Sequence, residues 1–312
     1  MSAVGVHLDG LTRRFGALTA LDGLDLEVAP GEMLALLGPS GCGKTTALRL
    51  LGGFDYPDGG RIMVGGRDVT NVPANRRDMG MVFQAYSLFP NMDARRNVEF
   101  GLRMRKMGAA QRRARAEEVL DLVGLADHAG HYPHQMSGGQ QQLGITTLFV
   151  THDQAEALSI ADRVGVMHAG HLEQLGSPDE VYDRPATPFV AEFVGTMNRV
   201  AGRVLPDGRL EVLGSRLSAI GPDGQAPGSA VEVLVRPEAL EAVADPNGHA
   251  TVVERTFLGS LTRMRVALDD GVELLIDVAS RRGLPEPGAR VGVRVTSEDA
   301  LIGGTQEPPP ED

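Results

Sequence analysis

Short alternating runs of apolar and polar positions fill the first 28 residues. Residues 4–8, 11–15 and 24–28 are predicted strands, parted by turn signals at Asp9-Gly10 and Asp22-Gly23. Residues 32–37 form an apolar run suited to a buried strand, and residues 44–51 follow with helical spacing. Residues 61–64 and 79–83 are further predicted strands, and residues 93–105 and 109–123 are predicted helices. Residues 145–150 form a second short apolar run. After it Asp153 can accept from a free backbone N–H of a helix start while Glu156 reaches back. Residues 163–167 and 171–175 flank a turn at Ala169-Gly170. Ser177-Pro178-Asp179-Glu180 reads as a capping box with proline at the first helical position. Strands alternating with helices predict an α/β domain built on a parallel sheet with helices covering it.

The pattern changes near residue 197. From there the runs are short and β-like: 201–205, 209–213, 231–235, 250–255, 262–268, 272–278 and 290–296. Turns such as Pro206-Asp207-Gly208 and Asp269-Asp270-Gly271 punctuate them. That predicts an all-β barrel or sandwich. The expected division is 1–196, 197–304 and a disordered tail at 305–312, where three prolines and three acids crowd together.

Composition narrows the function. The 312 residues carry 30 basic and 41 acidic side chains, a formal charge of −11. That disfavours a nucleic-acid partner, which calls for a basic surface. Arg103, Arg105, Lys106, Arg112, Arg113 and Arg115 make a local basic run. It lacks interleaved aromatics and runs into Glu117, Glu118 and Asp121, so it reads as a solvated helix face. A single cysteine excludes a disulfide framework. No apolar run approaches the roughly 18 residues of a membrane span, and the first residues lack the pattern of a secretory signal. A cytoplasmic protein is expected. His128, His131 and His134 show no clear zinc-site spacing.

One motif is complete. Gly38-Pro39-Ser40-Gly41-Cys42-Gly43-Lys44-Thr45 matches G-x-x-x-x-G-K-[ST] between a predicted strand and a predicted helix. Glycines let the backbone turn its N–H groups toward phosphate oxygens, and the helix N-terminus adds positive partial charge. Lys44 can meet the outer phosphates and the Thr45 hydroxyl can meet Mg²⁺. Thr46 completes the candidate nucleotide-binding stretch. Cys42 reads as a small loop-filling residue. The expected ligand is a nucleoside triphosphate with Mg²⁺.

Three further stretches carry a resemblance. Residues 81–90 read Met-Val-Phe-Gln-Ala-Tyr-Ser-Leu-Phe-Pro, residues 136–142 Met-Ser-Gly-Gly-Gln-Gln-Gln, and residues 148–153 Leu-Phe-Val-Thr-His-Asp. With the phosphate loop they resemble the ATP-binding subunits of ABC importers. The β-rich remainder, around residues 235–239 and 257–263, is similar to the TOBE-type, OB-like barrels of importers for polyamines and ferric ions. The resemblance implies a P-loop NTPase fold, ATP as ligand, and a homodimer with composite sites. It places Phe15 against adenine and Gln84 near Mg²⁺ and the attacking water. Ser137, Gly138, Gly139 and Gln140 are placed on the γ-phosphate of the partner's nucleotide, and His152 also on the γ-phosphate. It implies membrane permease subunits as partners, a solute-binding protein met through them, and a place on the inner face of the cell membrane. A polyamine or ferric-ion-like solute is implied, with polyamine favoured.

The resemblance breaks between Gln142 and Ile145. The family pattern continues from the signature into a long helix, then an apolar strand ending in Asp-Glu, before the switch strand. Here only 15 positions separate Ser137 from His152. A helix takes about 11 residues and a strand about five, so both cannot fit beside the 145–150 run. The Asp-Glu pair that serves the family as metal partner and water-activating base is missing. A hydrolysis-deficient or regulatory nucleotide-binding module is therefore the alternative reading.

Overall fold

A computed structural model describes residues 3–77, 79, 89, 91–122, 124–132, 146–151, 153–220 and 226–303. The chain divides into two compact units, Met1–Leu34 with Gly43–Thr151, and Ala35–Cys42 with His152–Asp312.

The first unit opens with β1 (Val6–Phe15) and β2 (Leu18–Val28), an antiparallel hairpin. The chain then enters β3 (Met33–Leu37) and α1 (Lys44–Gly52). β4 (Gly59–Val64) and β5 (Arg67–Asp68) extend the hairpin into a sheet of order β2-β1-β4-β5. The expected breaks at Asp9-Gly10 and Asp22-Gly23 are not breaks. Each strand runs through, and the register slips between Leu8 and Leu11 and again beyond it. Gly10 and Gly23 have φ of 58° and 69°. Left-handed glycines of this kind insert a bulge and let the ladder resume. Asp25 holds the first bulge by accepting the Gly10 N–H at 2.7 Å. Leu8, Leu11, Leu21, Leu24 and Ile62 are buried along this sheet.

α2 (Ala94–Met104) and α3 (Ala109–Leu122) follow, close to the predicted ranges. Asp93 caps α2, accepting from the Arg96 N–H at 2.7 Å. Three of the basic run's arginines face acids: Arg112 with Glu99, Arg113 with Glu117 and Arg115 with Glu118. The predicted strand at 79–83 falls largely outside the described residues. β6 (Thr147–Val150) is a hydrogen-bonded neighbour of β3. The Thr147 N–H donates to Glu32 O at 2.9 Å. The Thr146 hydroxyl donates to Val4 O and accepts from the Gly31 N–H.

In the second unit Asp153 caps α4 (Gln154–Ile160) by accepting the Glu156 N–H. β7 (Arg163–His168) neighbours β3 and pairs antiparallel with β8 (His171–Gly176). Gly165 is needed there: a Cβ would sit 2.9 Å from Leu36 Cδ2. α5 (Pro178–Asp183) begins at the expected box, with Ser177 and Glu180 capping each other reciprocally. α6 (Pro188–Phe193), capped by Thr187, was not anticipated.

The β-rich part comprises β9 (Asn198–Val204), β10 (Leu210–Val212), β11 (Ser215–Ile220), β12 (Ala230–Val235), β13 (Leu240–Ala244), β14 (Ala250–Phe257), β15 (Leu261–Leu268), β16 (Glu273–Ala279), β17 (Arg290–Val295) and β18 (Asp299–Ile302). β10-β11-β18-β12-β9 close into a barrel, and β13-β17-β14-β15-β16 form a five-stranded sheet. Val233, Leu210, Met264, Val266, Ile276 and Val291 share one core. Arg236 ties α5 and α6 to this part. Its Nη1 donates to Val194 O at 2.6 Å, its Nη2 to Tyr182 O at 2.8 Å, and the guanidinium lies 4.0 Å over the Tyr182 ring.

Candidate functional site

The candidate phosphate loop is one uninterrupted stretch of chain, Gly38 to Thr46. Its shape is set by glycine. Gly38, Gly41 and Gly43 have φ of 153°, 83° and 109°, values that L side chains rarely adopt. At Gly38 space adds to conformation. A Cβ would lie 2.4 Å from Met167 O and 2.5 Å from Cys42 Sγ. Within the same turn the Cys42 N–H donates to Pro39 O at 3.4 Å, and Cys42 O accepts from the Gly170 N–H at 3.1 Å. The Cys42 side chain is only 3% exposed, so it packs inside the turn.

Lys44 opens α1 with Gly43 at the cap position. The cap makes no side-chain hydrogen bond, and the first turn holds no acid. Lys44 is 9% exposed. A phosphate at this position answers the helix dipole and the Lys44 ammonium together. The donors present therefore fit a nucleotide's phosphates, and the Thr45 hydroxyl supplies the chemistry of a Mg²⁺ ligand.

Phe15 ends β1 with 47% of its surface exposed. The Arg13 guanidinium lies 4.7 Å over its ring and is itself held by Asp55 at 2.9 Å and Asp58 at 3.1 Å. The ring is thus fixed by its neighbours while exposed to a planar ligand. Gln84, Ser137, Gly138, Gly139, Gln140 and His152 lie outside the described residues. Beside His152, Thr151 is buried and Asp153 caps α4.

Sequence reading missed Arg77. It is 5% exposed and closes the far end of α1. Nη1 donates to Leu50 O at 2.6 Å and Leu51 O at 2.7 Å, Nε to Val72 O at 2.6 Å and Nη2 to Thr70 O at 2.9 Å. Burial lowers its pKa from the usual arginine value. The partners are all main-chain carbonyls, so no sequence motif announced it.

The ABC transporter family matches residues 21–162, and the TOBE domain family matches residues 233–302. The chain is 40% identical to the spermidine/putrescine import ATP-binding protein PotA of Frankia alni, over 88% of this chain and 72% of that protein. It is 39% identical to the sulfate/thiosulfate import ATP-binding protein CysA of Xanthomonas campestris pv. campestris, over 92% of this chain and 96% of that protein. It is 38% identical to the Fe(3+) ions import ATP-binding protein FbpC of Rhizobium etli, over 90% and 92%. Among the described residues no helix is long and apolar enough to cross a membrane. The aligned lengths carry a second fact. The match to CysA runs over 336 residues, whereas 92% of 312 is about 287, a shortfall of about 49. The match to FbpC runs over 329, whereas 90% of 312 is about 281, a shortfall of about 48. These relatives therefore hold about 50 residues that this chain lacks inside the matched stretch. By these matches the chain belongs to the ATP-binding subunits of ABC importers, the ABC transporter ATPase family, with a C-terminal TOBE domain.

Proposed function

We propose that Gly38, Pro39, Ser40, Gly41, Cys42, Gly43, Lys44, Thr45 and Thr46 hold the phosphates of Mg-ATP and that Phe15 stacks on its adenine. Gln84 and His152 attend the reacting phosphate. Ser137, Gly138, Gly139 and Gln140 reach the nucleotide of a second copy, so ATP closes a homodimer and its hydrolysis reopens it. Residues 1–196 form the nucleotide-binding part and 197–304 the barrel part. The dimer sits on the inner face of the cell membrane and drives a permease that receives its solute from a binding protein. Polyamine is the proposed solute. It is named in one of the three relatives above, while the others are named for sulfate and Fe(3+). The observation that carries the nucleotide assignment is the buried Lys44 in an acid-free first turn behind three left-handed glycines. Mg²⁺, when bound, neutralises phosphate charge. Calorimetric titration with Mg-ATP tests the site. Lys44→Ala should weaken binding about tenfold or more, since a hydrogen bond to a charged group contributes ~1.5–3 kcal/mol. Equal affinity in parent and variant removes the assignment.

A second reading, that the chain binds ATP without hydrolysing it at the family's rate, rests on the missing Asp-Glu pair and the shortfall of about 50 residues against its relatives. The relatives' names lend it no support. Turnover measurement decides between the two readings.

A further inference from the structure

Beyond the nucleotide site, His128 and His131 face one another at a short turn of the first unit. Their Nδ1 atoms are 3.1 Å apart. We propose that these two imidazoles form a surface site for a divalent transition metal of the zinc and nickel class, completed by water.

The geometry suits a shared ion as well as the hydrogen bond that joins the two rings. Histidine nitrogens ligate at about 2.0–2.1 Å, which places two of them about 2.9 Å apart at a right angle and about 3.3 Å apart at the tetrahedral angle. The observed 3.1 Å falls between those limits. The ring centroids are 4.9 Å apart with the planes at 46°. That is closer than two rings aiming their Nδ1 atoms straight at each other would sit. The Nδ1 atoms are therefore not aimed along one line, which leaves room for a shared third atom beside the N···N vector. Main-chain hydrogen bonds fix the turn that carries both rings. The His131 N–H donates to His128 O at 2.9 Å. His131 O and Ala129 O accept from Ala94 and Arg95, the first N–H groups of α2, at 2.8 and 3.0 Å. Both histidines are exposed, so a hydrated ion can reach them. Among the described residues no set of three His, Cys, Asp or Glu gathers around a point, so His128 and His131 are the two side chains that carry the proposal. Imidazole suits zinc, copper and nickel, whereas calcium and magnesium prefer oxygen. The sequence spacing gave no sign of this site, because the 128–131 separation becomes a chelate only when the turn brings the rings together.

The test uses the untagged full chain and Ni²⁺ or Zn²⁺ alone, titrated by calorimetry. The parent should bind one equivalent. His128→Gln and His131→Gln should each weaken binding by at least about tenfold, the smallest cost even of an outer-shell change at a metal site. His7→Gln should leave it unchanged. Ring resonances of the parent, followed by NMR during Ni²⁺ addition, read the site without any substitution, and those of His128 and His131 should broaden first. No binding by the parent, unchanged binding in both variants, or broadening of other histidines first overturns the proposal.

Discussion

Arg77 Nη1 donates to Leu50 O at 2.6 Å, joining residues 27 apart in the chain. The carbonyl belongs to the last turn of α1, the helix that begins at Lys44. A helix leaves its last carbonyls without partners, and here a buried cation takes two of them at the negative end of the dipole. Gly53, at φ 73°, turns the chain so that this can happen. Arg77→Leu would remove this donor from the Leu51, Val72 and Thr70 carbonyls, while Leu50 O keeps the Gly53 N–H. The expected cost is about 3 kcal/mol, the upper range for hydrogen bonds to a charged group. Urea unfolding should show a lower midpoint at unchanged slope. Arg77→Lys should recover part of it, since one ammonium cannot span four carbonyls.

Gly38→Ala is the sharpest probe of the loop. The added carbon would meet Met167 O at 2.4 Å and Cys42 Sγ at 2.5 Å. Main chain cannot step aside as a flexible side chain does. Overpacking of this kind costs about 1–3 kcal/mol, and the φ of 153° adds strain. We expect a lower melting temperature together with loss of Mg-ATP affinity. Gly41→Ala meets nothing within 4 Å. It should lose less stability, because only its φ of 83° is offended.

How much of this was legible in the chain follows from where each signal lay. The phosphate loop and the caps at Asp153 and Ser177 are local chemistry, and both side chains cap their helices as the residues implied. β11 and β18 were not legible. Ser215–Ile220 and Asp299–Ile302 are short and weakly patterned, and they become strands by pairing with each other across about 80 residues, Ser218 opposite Asp299. The Asp-Gly pairs in β1 and β2 misled for the opposite reason. A left-handed glycine can bulge a strand as well as end it, and only the register of the partner decides. Arg77 and Arg236 were invisible because both are read by carbonyls, which every residue has.

The joint around Arg236 should show itself at high pH. Burial, and then the hydrogen bond that the Tyr182 hydroxyl donates to Glu238 at 2.7 Å, push Tyr182 from 10.0 up to about 12. A raised folded pKa means that the neutral form is the one the fold favours. This stabilisation is fully present below pH 10 and is lost as pH climbs toward 12. Tyr182→Phe keeps the ring under the guanidinium and removes the titration. The parent should therefore lose stability from pH 10 to 12 more steeply than the variant, by denaturant midpoints taken across that range. Parallel curves would show that Tyr182 titrates no differently in the folded and unfolded chain.

ATP turnover separates the two functional readings. Phosphoryl transfer depends on positioning the attacking water and on neutralising charge. Gln84 and His152 can offer polar contacts, but neither is a carboxylate that takes a proton from water. A second copy of the chain brings the same sequence and so the same shortage. A general base contributes about 10²–10⁴-fold in rate. The second reading therefore predicts that the chain turns over ATP at least about 10²-fold more slowly than a version in which the helix and the strand ending in Asp-Glu that the family resemblance implies are placed between Gln142 and Ile145. Lys44→Ala in the restored version should abolish the gain, which ties the activity to the loop. Equal turnover in the chain and the restored version, lost in both with Lys44→Ala, retires the second reading. In that outcome an acid elsewhere in this sequence activates the water, and Glu156, in the first turn of α4, and Asp162, just after its end, are the first to replace by their amides.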